Sequence, residues 1–66
     1  MEVYVNGQPE AINPGETVKD FVVRKGLFEE KVVVEYNGRI LDGKEMEKQF
    51  LEEGAVVEIV HFVGGG

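Results

Sequence analysis

Two Asn-Gly dipeptides, Asn6-Gly7 and Asn37-Gly38, each separate short runs of strand-forming residues. A two-residue Asn-Gly loop between such runs is a strong β-hairpin signal, because both loop positions must adopt positive φ. Before Asn6, Glu2-Val3-Tyr4-Val5 alternates in the period of a half-buried strand, and Gln8 to Asn13 reads as its return. Pro9 cannot donate to a ladder, which places that return strand at a sheet edge. The second hairpin joins Lys31–Tyr36 to a short strand at Arg39–Leu41. A chain with two such hairpins is committed to a sheet, and the rest of the sequence has to supply what covers it.

Cover comes from the segment between the hairpins. Thr17, followed three residues later by Asp20, has the form of an acidic helix N-cap, and Val18, Phe21 and Val22 then fall on one helical face. Lys25 suits the last turn, Gly26 the stop, and Leu27 the hydrophobic contact beyond it, so the helix runs from about Thr17 to Lys25. Lys44 to Gln49 is expected to form one helical or 3₁₀ turn that buries Met46 or Phe50. The longest strand follows, Ala55 to Phe62. The order β, β, α, β, β, short helix, β describes an α+β domain. With 66 residues there is one domain, expected to occupy 1–63, ahead of a glycine tail at 64–66.

Composition removes most chemistry from consideration. Seven Lys plus Arg against thirteen Asp plus Glu give a net charge of −6, which opposes binding to nucleic acid phosphates and to anionic membrane surfaces. No stretch approaches the roughly 20 apolar residues of a membrane span, and no signal peptide is evident. The chain has no Cys and no Ser, and His61 is its sole histidine. Disulfides, thiolate metal sites, iron–sulfur clusters, Cys nucleophiles and Ser–His pairs are therefore excluded. A small domain without disulfides depends on its core alone, which fits a cytoplasmic location. No bound cofactor and no metal site is expected, and the chain is a poor candidate for a stand-alone enzyme.

The order of elements resembles the ubiquitin-like β-grasp fold, a mixed sheet of about five short strands packed on one helix. Within that fold the chain is similar to the ThiS family, the sulfur carriers of thiamine biosynthesis. The likeness rests on Val5-Asn6-Gly7, Pro14 to Val18, Tyr36-Asn37-Gly38, Glu52 to Val60 and the closing Val63-Gly64-Gly65-Gly66, in that order. It implies a carrier rather than a catalyst. In such proteins a ThiF-like activating enzyme uses ATP to adenylate the C-terminal carboxylate. A sulfur donor such as a cysteine desulfurase system then yields a thiocarboxylate, and thiazole synthase takes up the sulfur. Carried onto this chain, the sulfur-bearing residue is Gly66, with Gly64 and Gly65 completing the tail. The small subunit of molybdopterin synthase shares the fold and the diglycine, but usually has extra residues and a Pro-rich approach to the tail. Here Val60-His61-Phe62-Val63 runs directly into glycine, which favours the thiamine carrier. A lysine-conjugated modifier and an interaction module with an inert tail remain as alternatives.

A glycine tail suits acyl chemistry, since residues without Cβ leave the carbonyl carbon open to attack and adapt to differently shaped clefts. Three extended residues reach about 10 Å. A docking surface follows from strand alternation. If Val57 and Ile59 face the helix, then Val56, Glu58, Val60 and Phe62 face away. In a β-grasp sheet the first and third strands flank the last, so Tyr4, Val33, Val60 and Phe62 are expected to form one exposed apolar patch leading to the tail. His61, on the inward register near the strand end, is expected to be partly buried and neutral. Glu29, Glu30, Glu45, Glu47, Glu52 and Glu53 read as solvated faces, some of them available to a basic partner.

Overall fold

The computed structural model describes residues 1–62. The strands are β1 (Glu2–Val5), β2 (Gln8–Ala11), β3 (Val32–Tyr36), β4 (Arg39–Leu41) and β5 (Val56–His61). The helices are α1 (Val18–Arg24) and α2 (Gly43–Lys48), with a single 3₁₀ turn over Glu29–Lys31 ahead of β3. The sheet order is β2-β1-β5-β3-β4. β5 pairs in parallel with β1 and antiparallel with β3, and both hairpins are antiparallel. This is the α+β β-grasp arrangement, with β2 and its Pro9 at one edge and the first and third strands flanking the last. The expected glycine tail, 64–66, and Val63 before it lie outside the described residues.

Both hairpin turns have the geometry their sequence demands. Asn6 and Asn37 each have φ of 49°, and Gly7 and Gly38 follow at 82° and 86°. Two successive positive φ values define the type I′ turn, whose twist matches that of the flanking strands. α1 carries the full reciprocal cap: Thr17 Oγ1 accepts from the Asp20 amide, and Asp20 accepts from the Thr17 amide. α2 repeats the device with Asp42 and Glu45. Seven residues of α1 span only about 10 Å, too short to be stable without tertiary packing. Val18, Phe21 and Val22 supply that packing against Val3, Val34 and Val57, all at most 2% exposed. Met46 from α2 is buried, whereas Phe50 is 58% exposed, so of the two expected anchors the helix uses Met46.

Among the described residues one charged side chain is buried. Glu16, 6% exposed, lies in the loop before α1 and accepts two bonds from Arg24, from Nε at 2.6 Å and from Nη2 at 3.0 Å. Its Oε1 also accepts from the Asn13 amide, and its own carbonyl accepts from the Leu51 amide. Arg24 reaches on to the Ala11 carbonyl at the end of β2 and stacks over the Phe21 ring, 5.1 Å from its centroid. The Glu16–Arg24 pair thus ties β2, the loop and the last turn of α1 together. The Arg24 hydrogen bonds hold the Glu16 carboxyl below its ordinary pKa, against an opposing effect of burial. A depressed folded-state pKa means stability that is complete above the ordinary carboxylate pKa and is lost as pH falls toward the lowered value. Glu16→Gln should therefore cost roughly 1.5–3 kcal/mol at pH 7, the range for hydrogen bonds to a charged group. Thermal melts from pH 7 down to 3 should show the variant losing less stability on acidification than the wild type.

Candidate docking face and the root of the C-terminal segment

β5 is the strand that leads to the glycines, and its far end is held by side chains from outside its own ladder. Asn6 Oδ1 accepts from the Ile59 amide at 2.8 Å, and its Nδ2 donates to the Ile59 carbonyl at 3.1 Å. The Asn6 amide side chain thereby continues the β1–β5 ladder past the end of β1, as one more rung. At the near end, Asn37 acts in a related way: its Oδ1 accepts from the Val56 amide at 2.8 Å, and its own amide donates to the Val56 carbonyl. The residues that make the two hairpin turns therefore also grip the central strand. Past β5, the Phe62 amide donates to the Lys31 carbonyl at 2.8 Å. The chain is thus held in register with β3 to the last described residue.

Side chains of the sheet fall on two faces, as alternation requires. Val3, Val32, Val34, Tyr36 and Val57 are buried under the helices, and Val5 and Ile59 pack partly against them. The Tyr36 hydroxyl reaches the segment before β5, where it donates to the Phe50 carbonyl and accepts from the Glu52 amide. On the open face Val33 and Val60 are direct cross-strand partners, and Phe62 follows next on the same side as Val60. Val60 is 58% and Phe62 52% exposed, and Val33 is half-buried. Tyr4 is also exposed, but it pairs with Val56 at the opposite end of β5. Val56 and Val60 are four strand steps apart, about 13 Å. Between the two apolar ends lie Glu58 and its partner Glu35.

The four expected residues do not form one continuous patch. Val33, Val60 and Phe62 cluster at the end nearest the tail, while Tyr4 joins Val56 at the other end. The cause is the parallel β1–β5 register, a long-range pairing that local alternation does not specify. His61 also departs from expectation: it is exposed, although its register is inward. It is the last residue of β5 and lies past the end of β1, which pairs with β5 only at Val56 and Val57, so one flank of the strand is open there. Gly64, Gly65 and Gly66 lie outside the described residues. Among the described residues there is no group of three or more His, Cys, Asp or Glu placed to hold a metal ion, and no helix is long and apolar enough to cross a membrane.

Asn6→Gly keeps the positive φ and deletes both bonds to Ile59. It should cost about 1–2 kcal/mol. Native-state hydrogen exchange should show the largest local gain at the Ile59 amide.

Comparison with known proteins places these features in a family. The ThiS family's sequence profile matches residues 3–66. A protein named thiazole synthase from Magnetococcus marinus is 33% identical over 66 residues; the match covers all of this chain and 20% of that protein. The chain therefore spans about a fifth of that relative's length. The crystal structure of the thiamine biosynthesis protein ThiS from Geobacter metallireducens superimposes with a TM-score of 0.80 at 29% identity, covering 100% of both chains. The solution structure of a thiamine biosynthesis protein from the same organism gives a TM-score of 0.78 at 30% identity, covering 100% of this chain and 88% of that one.

Proposed function

The chain belongs to the ThiS family, and from that premise we propose that it carries sulfur for thiazole formation in thiamine biosynthesis. The observation that carries the reading is the extent of the family match, residues 3–66, which includes the glycine run as well as the folded body. The Geobacter structure, similar along its whole length, supports it.

In this reading the protein is a co-substrate of other enzymes. A carboxylate is a poor electrophile until it is converted to a mixed anhydride. A ThiF-like enzyme uses ATP to adenylate Gly66, releasing pyrophosphate. A sulfur donor, such as a cysteine desulfurase system, displaces AMP through its persulfide to give an acyl disulfide, and a thiol then cleaves the S–S bond, becoming part of a disulfide and leaving a thiocarboxylate on Gly66. Thiazole synthase receives that sulfur. The relative from Magnetococcus supports this last partner, since a segment similar to this chain shares a polypeptide with a protein of that name. The folded body contributes position: β5, clamped at Ile59 by Asn6 and at Phe62 by Lys31, fixes the point from which residues 63–66 depart.

The test exploits the absence of cysteine. The chain is incubated with a ThiF-like enzyme, ATP and a sulfur donor, then alkylated with a thiol-selective reagent and mapped by mass spectrometry. An adduct at Gly66 is expected, and deleting Gly66 should abolish it. Alkylation is preferable to intact mass alone, because oxidation of Met1 or Met46 adds nearly the same mass as exchange of oxygen for sulfur. The absence of any adduct from the wild type would overturn the reading in favour of an interaction module with an inert tail. A second expectation concerns the docking face: Phe62→Asp, at an exposed position, should leave unfolding cooperative while weakening binding to the activating enzyme about tenfold or more. Unchanged affinity in a titration would remove Phe62 from the interface.

A further inference from the structure

At the centre of the open sheet face lies an arrangement that works against the isolated fold. Glu35 on β3 and Glu58 on β5 are direct cross-strand partners on the side away from α1. Side chains so placed have Cβ atoms about 5 Å apart, and like charges there oppose the pairing. Nothing in the described structure offsets this. The ion pairs among the described residues engage Lys19, Arg24, Lys25 and Arg39 with Glu29, Glu16, Glu10 and Glu45, and none involves Glu35 or Glu58. The other cations, Lys31, Lys44 and Lys48, lie in the 3₁₀ turn and on α2. Arg39 is the one Lys or Arg within a strand, and it sits on the register of buried Tyr36 and Leu41, on the helix side.

Edge protection does not account for the two carboxylates either. Charges often guard sheet edges against stray pairing, but here the edges are β2 and β4, and β3 and β5 are interior strands. The surroundings of the pair are apolar and exposed: Val56 and Val60 lie two residues to either side of Glu58, and Ile40, opposite Glu35 on β4, is 64% exposed. An apolar face with two unneutralised carboxylates at its middle is complementary to an apolar surface with one cation at its middle. Arginine suits that role better than lysine, because its planar fork can engage two carboxylates at once.

We propose that the open sheet face docks an apolar partner surface through an arginine that this partner places between Glu35 and Glu58. The inference rests on the carrier reading, in which that partner is the adenylating enzyme. The pair also acts by exclusion. A second copy of this face would bring four carboxylates together in a desolvated contact, so the exposed valines are kept from self-association while remaining available to a cationic partner.

The test compares wild type, the double variant Glu35→Gln/Glu58→Gln, and a control of equal net charge, Glu30→Gln/Glu47→Gln, at two exposed positions. Three measurements are made: the melting temperature of the free chain, its affinity for a ThiF-like enzyme across salt concentration, and ATP–pyrophosphate exchange with that enzyme. The Glu35/Glu58 variant should melt higher than wild type yet bind about tenfold or more weakly, with a flatter salt dependence. The control should bind as wild type does. Equal weakening in the control would reduce the effect to net charge and overturn the inference, as would wild-type affinity in the Glu35/Glu58 variant. If wild type itself supports no exchange and no Gly66 adduct, the carrier reading fails and the inference falls with it. Exchange with wild type but no difference between the variants defeats the inference alone.

Discussion

The backbone groups of β5 find partners on both sides, β1 in parallel and β3 antiparallel, and no other strand joins the two hairpins. Without β5 each hairpin is a two-stranded ribbon, which is marginal in water, with no continuous surface on which α1 can pack. The core is arranged around the same strand: Val57 is almost completely buried beside Val3, Val34 and Phe21. The polar contacts that reinforce the fold also converge there. Asn6 and Asn37 clamp β5 at opposite ends, and Tyr36 fixes the approach to it through the Phe50 carbonyl and the Glu52 amide. The fold is therefore a pair of local structures held together by one non-local insertion.

Much of the local structure was legible in the residues. Asn-Gly dipeptides require type I′ turns, Pro9 requires an edge, and Thr17 with Asp20 requires a helix start. Each of these is a short-range statement, complete within four or five residues. Strand alternation likewise separated the buried valines from the exposed ones. What stayed hidden depends on distance in sequence. That Tyr4 stands beside Val56 rather than Val60 follows from a parallel register between strands some fifty residues apart. The burial of Glu16 depends on an arginine eight residues later whose fork reaches back around the loop. The exposure of His61 depends on how far β5 runs beyond the end of β1, which neither segment states alone.

The candidate site divides along the same line. The glycine run is legible as a motif, and its chemical meaning comes from the family to which the chain belongs. The face beside it became legible only with the register known, because Glu35 and Glu58 are unremarkable until they are seen to be opposite one another. A polar residue on an outward position normally passes as solubility. Two of the same sign, on interior strands and among exposed valines, make a surface with a preference for what it meets.

That β5 follows both hairpins in chain order has a consequence for damaged copies. A chain cut or prematurely ended before residue 56 lacks the strand that both hairpins share, and it loses its core together with its open sheet face. Such fragments cannot persist as folded copies of the sheet. The presence of β5 is thereby a condition for having the open sheet face at all.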